Sequence, residues 1–278
     1  MNIETSVRRF SDLAQAKADN LKQDPLGFAV SSMMAGAYVG MGILLIFSVG
    51  QNADPSVRNL IMGASFGIAL TLVVFAGSDL FTGHTMYYAF GRLTGACRTA
   101  DLARSWITTW SFNLIGSIGL AALFVAGGGG SVLLDGGQDH LHAVAYKKMS
   151  ASAPATELIA RGMLCNWLVC LAIWSASRTE NDTAKCIIIF WCLFAFIAAG
   201  FEHSVANMTI FSVALISEHP DQISLAGAGY NLLWVTIGNT LSGAVLMGVG
   251  YWIAAGRPRS KLEKTEGPKH DLASIPDH

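Results

Sequence analysis

Two stretches, Ala76-Gly77-Ser78-Asp79-Leu80-Phe81-Thr82-Gly83-His84-Thr85 and Ala199-Gly200-Phe201-Glu202-His203-Ser204-Val205-Ala206-Asn207-Met208-Thr209, interrupt apolar runs with a glycine, an acid and a histidine. Each follows a run long enough to enter a bilayer, so the polar groups fall near the bilayer centre. A charge at that depth costs about 2.5–3.5 kcal/mol even on forgiving insertion scales, so such residues mark a pairing or a function. Two broken membrane helices in corresponding halves of a chain are the signature of a transport site.

Composition agrees with an all-α membrane protein. Of 278 residues, 52% are hydrophobic and 13% charged, and the 29 glycines are scattered, as close helix–helix approach in lipid requires. The net charge of −1 gives no basic field for nucleic acid. Cys97, Cys165, Cys170, Cys186 and Cys192 form no CxxC pair, which leaves neither a disulfide framework nor a zinc site. No metal and no cofactor is expected.

Six spans follow. They are roughly 27–49, 57–91 with a break after Ala76, 102–126, 155–176, 184–216 with a break after Ala199, and 225–255. A polar loop follows Gly127-Gly128-Gly129-Gly130 as far as Ala153, and the charged tail 256–278 is expected to be disordered and cytoplasmic. With six spans both termini share a side, and all lysines and arginines except Arg58, Lys147, Lys148 and Arg161 fall on it. That side is therefore expected to be the cytoplasm. Residues 1–24 place Ile3, Val7, Phe10, Leu13, Ala18 and Leu21 at helical spacing among charges. This reads as an amphipathic helix on the inner membrane face, or one docked on a neighbouring subunit.

The halves resemble each other. Spans two and five share the acid and the break, span three carries Trp110-Ser111-Phe112-Asn113-Leu114-Ile115-Gly116, and span six Gly238-Asn239-Thr240-Leu241-Ser242-Gly243. Three spans per half put the halves in opposite orientation, an inverted 3+3 repeat.

Gly77-Ser78-Asp79-Leu80-Phe81-Thr82-Gly83, Cys165-Asn166-Trp167-Leu168-Val169-Cys170-Leu171-Ala172 and Gly200-Phe201-Glu202-His203-Ser204-Val205-Ala206-Asn207-Met208 resemble the signatures of the formate/nitrite transporter family. The resemblance covers roughly residues 20–255. Thr82-Gly83-His84-Thr85-Met86 and the run 231–243 are more similar to its nitrite-channel branch. The resemblance implies an aquaporin-like fold, a homopentamer with one pore per protomer, and a bacterial inner-membrane permease for nitrite and related small monovalent anions. Formate or hydrosulfide are the alternatives within the family, and a neutral-solute channel for water or ammonia the alternative within the fold. A membrane enzyme with haem or quinone needs paired axial histidines, and His203 has no partner at helical spacing.

The resemblance also implies site roles, each with a competing reading from the residues themselves. His203 is placed at the pore centre, where an imidazole can gain a proton near physiological pH and pass it to the anion; the alternative is a histidine bonding backbone freed by the break. Thr82 is a neutral pore donor, or a helix-cap hydroxyl. Asn166 and Asn239 are pore-side amides, or interhelical glue. Phe66, Val169 and Phe196 form an outer constriction and Leu70 and Leu80 an inner one, repelling hydrated ions by dewetting. Asp79 and Glu202 tie down the two breaks as structural carboxylates. The family's outer-mouth lysine falls on Ser150 unless a two-residue insertion precedes Ala151-Ser152-Ala153-Pro154, which makes Lys148, or Lys147, its equivalent. His84 is expected in the inner vestibule.

Overall fold

The computed structural model describes residues 2–150 and 153–260. Ala151, Ser152, Lys261, Lys264, Lys269 and the tail from 261 onward lie outside the described residues. The described residues form helices and connecting turns, without a strand.

Helix α1 (Ile3–Gln23) starts where the Asn2 side chain accepts the Thr5 N–H. Asp24 caps the next helix by accepting the Gly27 N–H, and Pro25 begins α2 (Pro25–Gly50), a position whose N–H has no helical partner in any case. The second apolar run jogs at Phe66 between α3 (Arg58–Ser65) and α4 (Gly67–Ala76), breaks, and resumes as α5 (Phe81–Thr94). Then come α6 (Thr99–Ala126), α7 (His140–Met149), α8 (Ala155–Ala176), α9 (Asp182–Ala198), α10 (Ser204–Ile216) and α11 (Leu225–Leu241). A π-helical stretch, Ser242–Val249, carries α11 into α12 (Gly250–Ala254). Among the described residues five helical runs are long and apolar enough to cross a membrane: α2, α3 with α4, α6, α8, and α11 through α12; α10 is a shorter apolar helix.

Both breaks begin at a glycine in the left-handed region, Gly77 at φ 72° and Gly200 at φ 71°, where a β-carbon would be strained. Two helix pairs touch backbone to backbone on either side of them. A β-carbon on Gly116 of α6 would lie 1.9 Å from the Met33 carbonyl oxygen of α2, and one on Gly238 of α11 would lie 2.3 Å from that of Ile159 of α8. Larger residues there would push the pairs apart.

The run from α11 through α12 starts beside α7 and ends beside α1, so these two helices close opposite ends of the molecule. The structure corrects the expectation that α1 lies on the membrane face. Its apolar stripe, Val7, Phe10, Ala14, Ala18 and Leu21, is buried against its own chain, and the Phe10 ring stacks on Tyr87 at 5.2 Å and on Trp174 at 5.6 Å. A stripe already covered needs neither lipid nor a neighbouring subunit. The expected polar loop before Ala153 contains α7, with Asp139 accepting the His142 N–H as its cap. The tail from 256 is also ordered as far as 260: Trp252 Nε1 donates to the Pro258 carbonyl, Ser260 N to Thr94, and Arg8 to the Arg259 carbonyl.

Candidate functional site

The break between α4 and α5 and the break between α9 and α10 are held by the same set of bonds. At the first, the Asn113 amide of α6 donates to the Ser32 carbonyl at 2.7 Å and the Asp79 carbonyl at 3.0 Å, while its oxygen accepts the Phe81 N–H at 2.9 Å. At the second, the Asn239 amide of α11 donates to the Gly162 carbonyl at 2.8 Å and the Glu202 carbonyl at 3.1 Å, while its oxygen accepts the Ser204 N–H at 2.9 Å. Each amide thus joins three segments and satisfies the backbone groups that leaving the helix exposes.

The two acids are wired alike. The Asp79 carboxylate binds Lys17 of α1, the Ser31 hydroxyl and His84 Nε2, and His84 Nδ1 lies 3.0 Å from the Ser105 hydroxyl of α6. The Glu202 carboxylate binds Lys148 of α7 at 2.7 Å and Asn207 at 2.6 Å, and Asn207 reaches the Asn231 oxygen of α11 at 2.8 Å. His84 and Asn207 each stand five residues after their acid. A buried carboxylate with a lysine and further donors is tolerable where a lone one is not.

What differs is the residue after each acid, Leu80 at one break and His203 at the other. His203 Nδ1 accepts the Ala206 N–H at 3.1 Å and so caps α10. That bond assigns the remaining ring proton to Nε2, which lies 3.1 Å from the Thr82 hydroxyl across the gap between the breaks. The His203 ring also stacks on Phe196 at 5.9 Å.

A cavity of about 610 Å³ runs from the α7 end down to His203. Lys147, Lys148 and Arg161 line it against Glu157 and Glu202. Lys148 pairs with Glu202 and Arg161 with Glu157 at 2.6 Å, so Lys147 is the cation in excess. His140 also lines the cavity; burial and the neighbouring Arg58 guanidinium hold its imidazole below the ordinary histidine range. Beyond His203 lies a void of about 10 Å³ lined by Val39, Phe66, Ala69, Leu70, Leu80, Val169, Leu193 and Phe196. The structure therefore gathers around one void the five residues that the sequence reading divides between two constrictions. At that size the void is at the lower limit for one water, and apart from His203 its lining offers no polar side chain, where a water needs about two to four partners.

With this geometry in view, comparison with known proteins decides the family. The profile described as "Formate/nitrite transporter" matches residues 6–253. The chain belongs to the formate/nitrite transporter family. It is 54% identical to the nitrite transporter NirC of Escherichia coli (strain K12) over 258 residues, 91% of this chain and 93% of that one. A solved FNT family ion channel superposes with a TM-score of 0.87 at 54% identity, over 90% of this chain and 98% of the other. A pentameric formate channel with formate bound superposes with a TM-score of 0.69 at 26% identity, over 84% of this chain and 98% of the other. The chain is accordingly a multi-pass membrane protein of a transporter family.

Within this family member the two amides have one use each. Asn239 commits both amide hydrogens and its oxygen to backbone, which is the interhelical reading. Asn166 donates to the Asn239 carbonyl at 2.7 Å, the Thr85 hydroxyl at 3.1 Å and the Thr82 carbonyl at 3.3 Å. Its oxygen is the atom left without a partner, and an acceptor repels an anion. These bonds put both amides to interhelical use. His84 lies buried in the Asp79 cluster instead of lining a vestibule. Sequence reasoning missed Asn113, although the Phe112-Asn113 and Gly238-Asn239 motifs it compared carry the signal. It also missed Lys17 as the partner of Asp79, and Asn207 and Asn231 beside Glu202, for which spacing along the chain gives no sign.

Proposed function

We propose that this chain is a permease for nitrite and related small monovalent anions, in the inner membrane of a bacterium, with His203 as the donor that meets the passing ion. The observation that carries the reading is the His203 Nε2–H, fixed by the Ala206 cap, lying beside Thr82 at the foot of a cavity whose cations outnumber its acids. Lysine excess concentrates anions over cations, which favours an anion over a neutral solute. The apolar void below His203 rejects hydrated ions by dewetting, so an ion that passes must exchange water for protein donors. Thr82 supplies the second donor, its hydroxyl, and Phe66, Leu70, Leu80, Val169 and Phe196 supply the apolar wall.

A neutral imidazole has one proton and keeps it. Protonating the anion requires the imidazolium, formed when Nδ1 releases the Ala206 N–H and the ring takes up a proton from the outside solution through the cavity as the negative ion arrives. The imidazolium then passes one proton to a nitrite oxygen and returns to the neutral ring, and the anion leaves as nitrous acid. Lys148, paired with Glu202, is the mouth cation in this reading, with Lys147 beside it.

The same reading takes the chain as six spans with broken second and fifth helices in an inverted repeat. Matched wiring at the two breaks supports it. The lysine and arginine distribution supports a cytoplasmic α1 and C-terminal segment, and likeness to the pentameric formate channel supports a homopentamer. Nitrite uptake into proteoliposomes under a set pH difference tests the function. Fast uptake that rises with an inward proton gradient and falls at least tenfold in His203→Ala supports it. Undiminished flux in the variant removes His203 from the path, and flux of formate or hydrosulfide without nitrite moves the substrate to another anion of the family.

A further inference from the structure

Four residues of α7 line the cavity at i, i+3, i+4 and i+7, namely His140, Ala143, Val144 and Lys147, which is one face of a helix. The permease reading uses the end of that face, where Lys148 follows Lys147 and binds Glu202 beside His203. Its beginning is unused. His140 stands two turns before Lys147, about 12 Å along the helix axis from Lys148. There α7 meets the polar turn between α2 and α3: the His140 N–H donates to the Gln51 side-chain oxygen at 2.9 Å, and the ring lies 5.6 Å from that of Phe47. Arg58, the first residue of α3, reaches the same ring and does not itself line the cavity.

Arg58 fixes what this imidazole can offer. A guanidinium has donors and no acceptor, so the 3.3 Å contact between Arg58 Nη1 and His140 Nδ1 makes Nδ1 the acceptor. The neutral ring then carries its proton on Nε2, which no described residue bonds. His203 is prepared in the same way, with the Ala206 N–H on Nδ1 and the proton left on Nε2. Arg58 also brings a charge that no acid takes up among the described residues. Its Nη2 donates to the Ala53 carbonyl at 2.9 Å, and its buried Nε has no partner. Asp54, which feels the Arg58 charge, is turned to the Ser56 N–H and hydroxyl at 2.8 and 2.6 Å. Asp139 is turned to Leu134 and His142.

We propose that His140 and Arg58 form an anion-binding station at the entrance of the cavity, where a small monovalent oxyanion accepts the His140 Nε2–H and is held by the Arg58 charge behind the ring. The class of ligand follows from the parts. A cation is repelled by Arg58 and Lys147, and a neutral solute gains nothing from their charge. Ala143 and Val144 leave the helix face between His140 and Lys147 without a polar group, so an ion at His140 occupies a position separate from one at the lysines. The part this station plays in transport rests on the permease reading: it takes the anion from solution and hands it down the face of α7 towards Lys148 and His203. Binding at His140 does not depend on that reading.

Solid-state NMR of the lipid-embedded protein with ¹⁵N-labelled histidine tests the binding directly, with sodium nitrite as the probe at constant ionic strength. The His140 signals are those missing from His140→Leu. They are expected to show a ring protonated on Nε2, whose resonance moves saturably as nitrite is added. Arg58→Gln should raise the half-saturating concentration about tenfold, the worth of one charge-assisted contact. In uptake measurements, His140→Leu should raise the KM for nitrite about fivefold at unchanged maximal rate. His140→Gln should recover most of that loss, because its amide oxygen accepts from Arg58 while its N–H donates to the ion. An Nε2 resonance that nitrite leaves in place, or that saturates equally in Arg58→Gln, overturns the station. An unchanged KM in His140→Leu overturns its part in transport. A protein that binds nitrite at His140 and carries none keeps the station and loses the permease reading.

Discussion

The breaks after Ala76 and after Ala198 are built to one wiring plan and differ in what they present. In both, an asparagine eight positions beyond a polar residue of the same helix, Asn113 beyond Ser105 and Asn239 beyond Asn231, clamps the backbone. In both, a lysine from a helix at one end of the molecule neutralises the acid. At the first break the lysine belongs to α1, which lies over that end with its apolar stripe buried. At the second it belongs to α7, and the acid opens on the cavity of about 610 Å³. The residue after the acid is Leu80 on the covered side and His203 on the open side. The comparison separates what holds a break together, which is shared, from the residue that the proposed function assigns to the solute, which is present once.

The comparison is open to direct attack. Its largest expected effect is removal of either acid. Asp79→Ala and Glu202→Ala each strand a mostly buried lysine, and breaking one partner of such a pair costs about 3–5 kcal/mol. Both variants are expected to melt earlier by comparable amounts in thermal unfolding of the purified protein; a loss confined to one would show that the breaks are not equivalent supports. Next come Asn113→Ala and Asn239→Ala. Each removes three hydrogen bonds to backbone, at about 1 kcal/mol apiece. Urea or heat should report similar losses of about 3 kcal/mol for the two, whereas an Asn239 variant that keeps its stability and loses only flux would restore the passage-facing reading of that amide. The smallest effect sharpens the functional side. Lys147→Ala removes the unpaired cation of the cavity, so the KM for nitrite should rise about twofold at low ionic strength and recover in high salt, as surface electrostatics do. An unchanged KM would put the attraction in Lys148 alone.

Much of this was legible along the chain because each break announces itself locally. Gly77 and Gly200 interrupt apolar runs, and the acids that follow are too costly in lipid to be incidental. The likeness of Asn113 and Asn239 was visible too, but a buried amide reads the same whether it faces an ion or a backbone carbonyl; only the three partners of Asn239 separate those uses. The pairing of Lys17 with Asp79 links residues 62 apart, and nothing in spacing or composition selects that lysine from its neighbours on α1. Helix α7 was hidden for a different reason. Its buried positions, Leu141, His142, Ala145 and Met149, follow helical spacing, but the two histidines and two lysines among them lower its apolar contrast. The covering of α1 was missed because an amphipathic stripe does not say whether lipid or protein will meet it.

The position of each lysine along the chain has a consequence for biogenesis. Synthesis runs from the amino terminus, and segments fold as they emerge. Lys17 is made before Asp79, and Lys148 before Glu202, so each carboxylate enters the membrane when its counter-ion already exists on the same chain. Asn113 and Asn239 are made last in their halves. The order of translation therefore delivers cation, then acid, then clamp, twice over, and the nascent chain never has to park a finished acidic break in lipid while waiting for the charge that neutralises it.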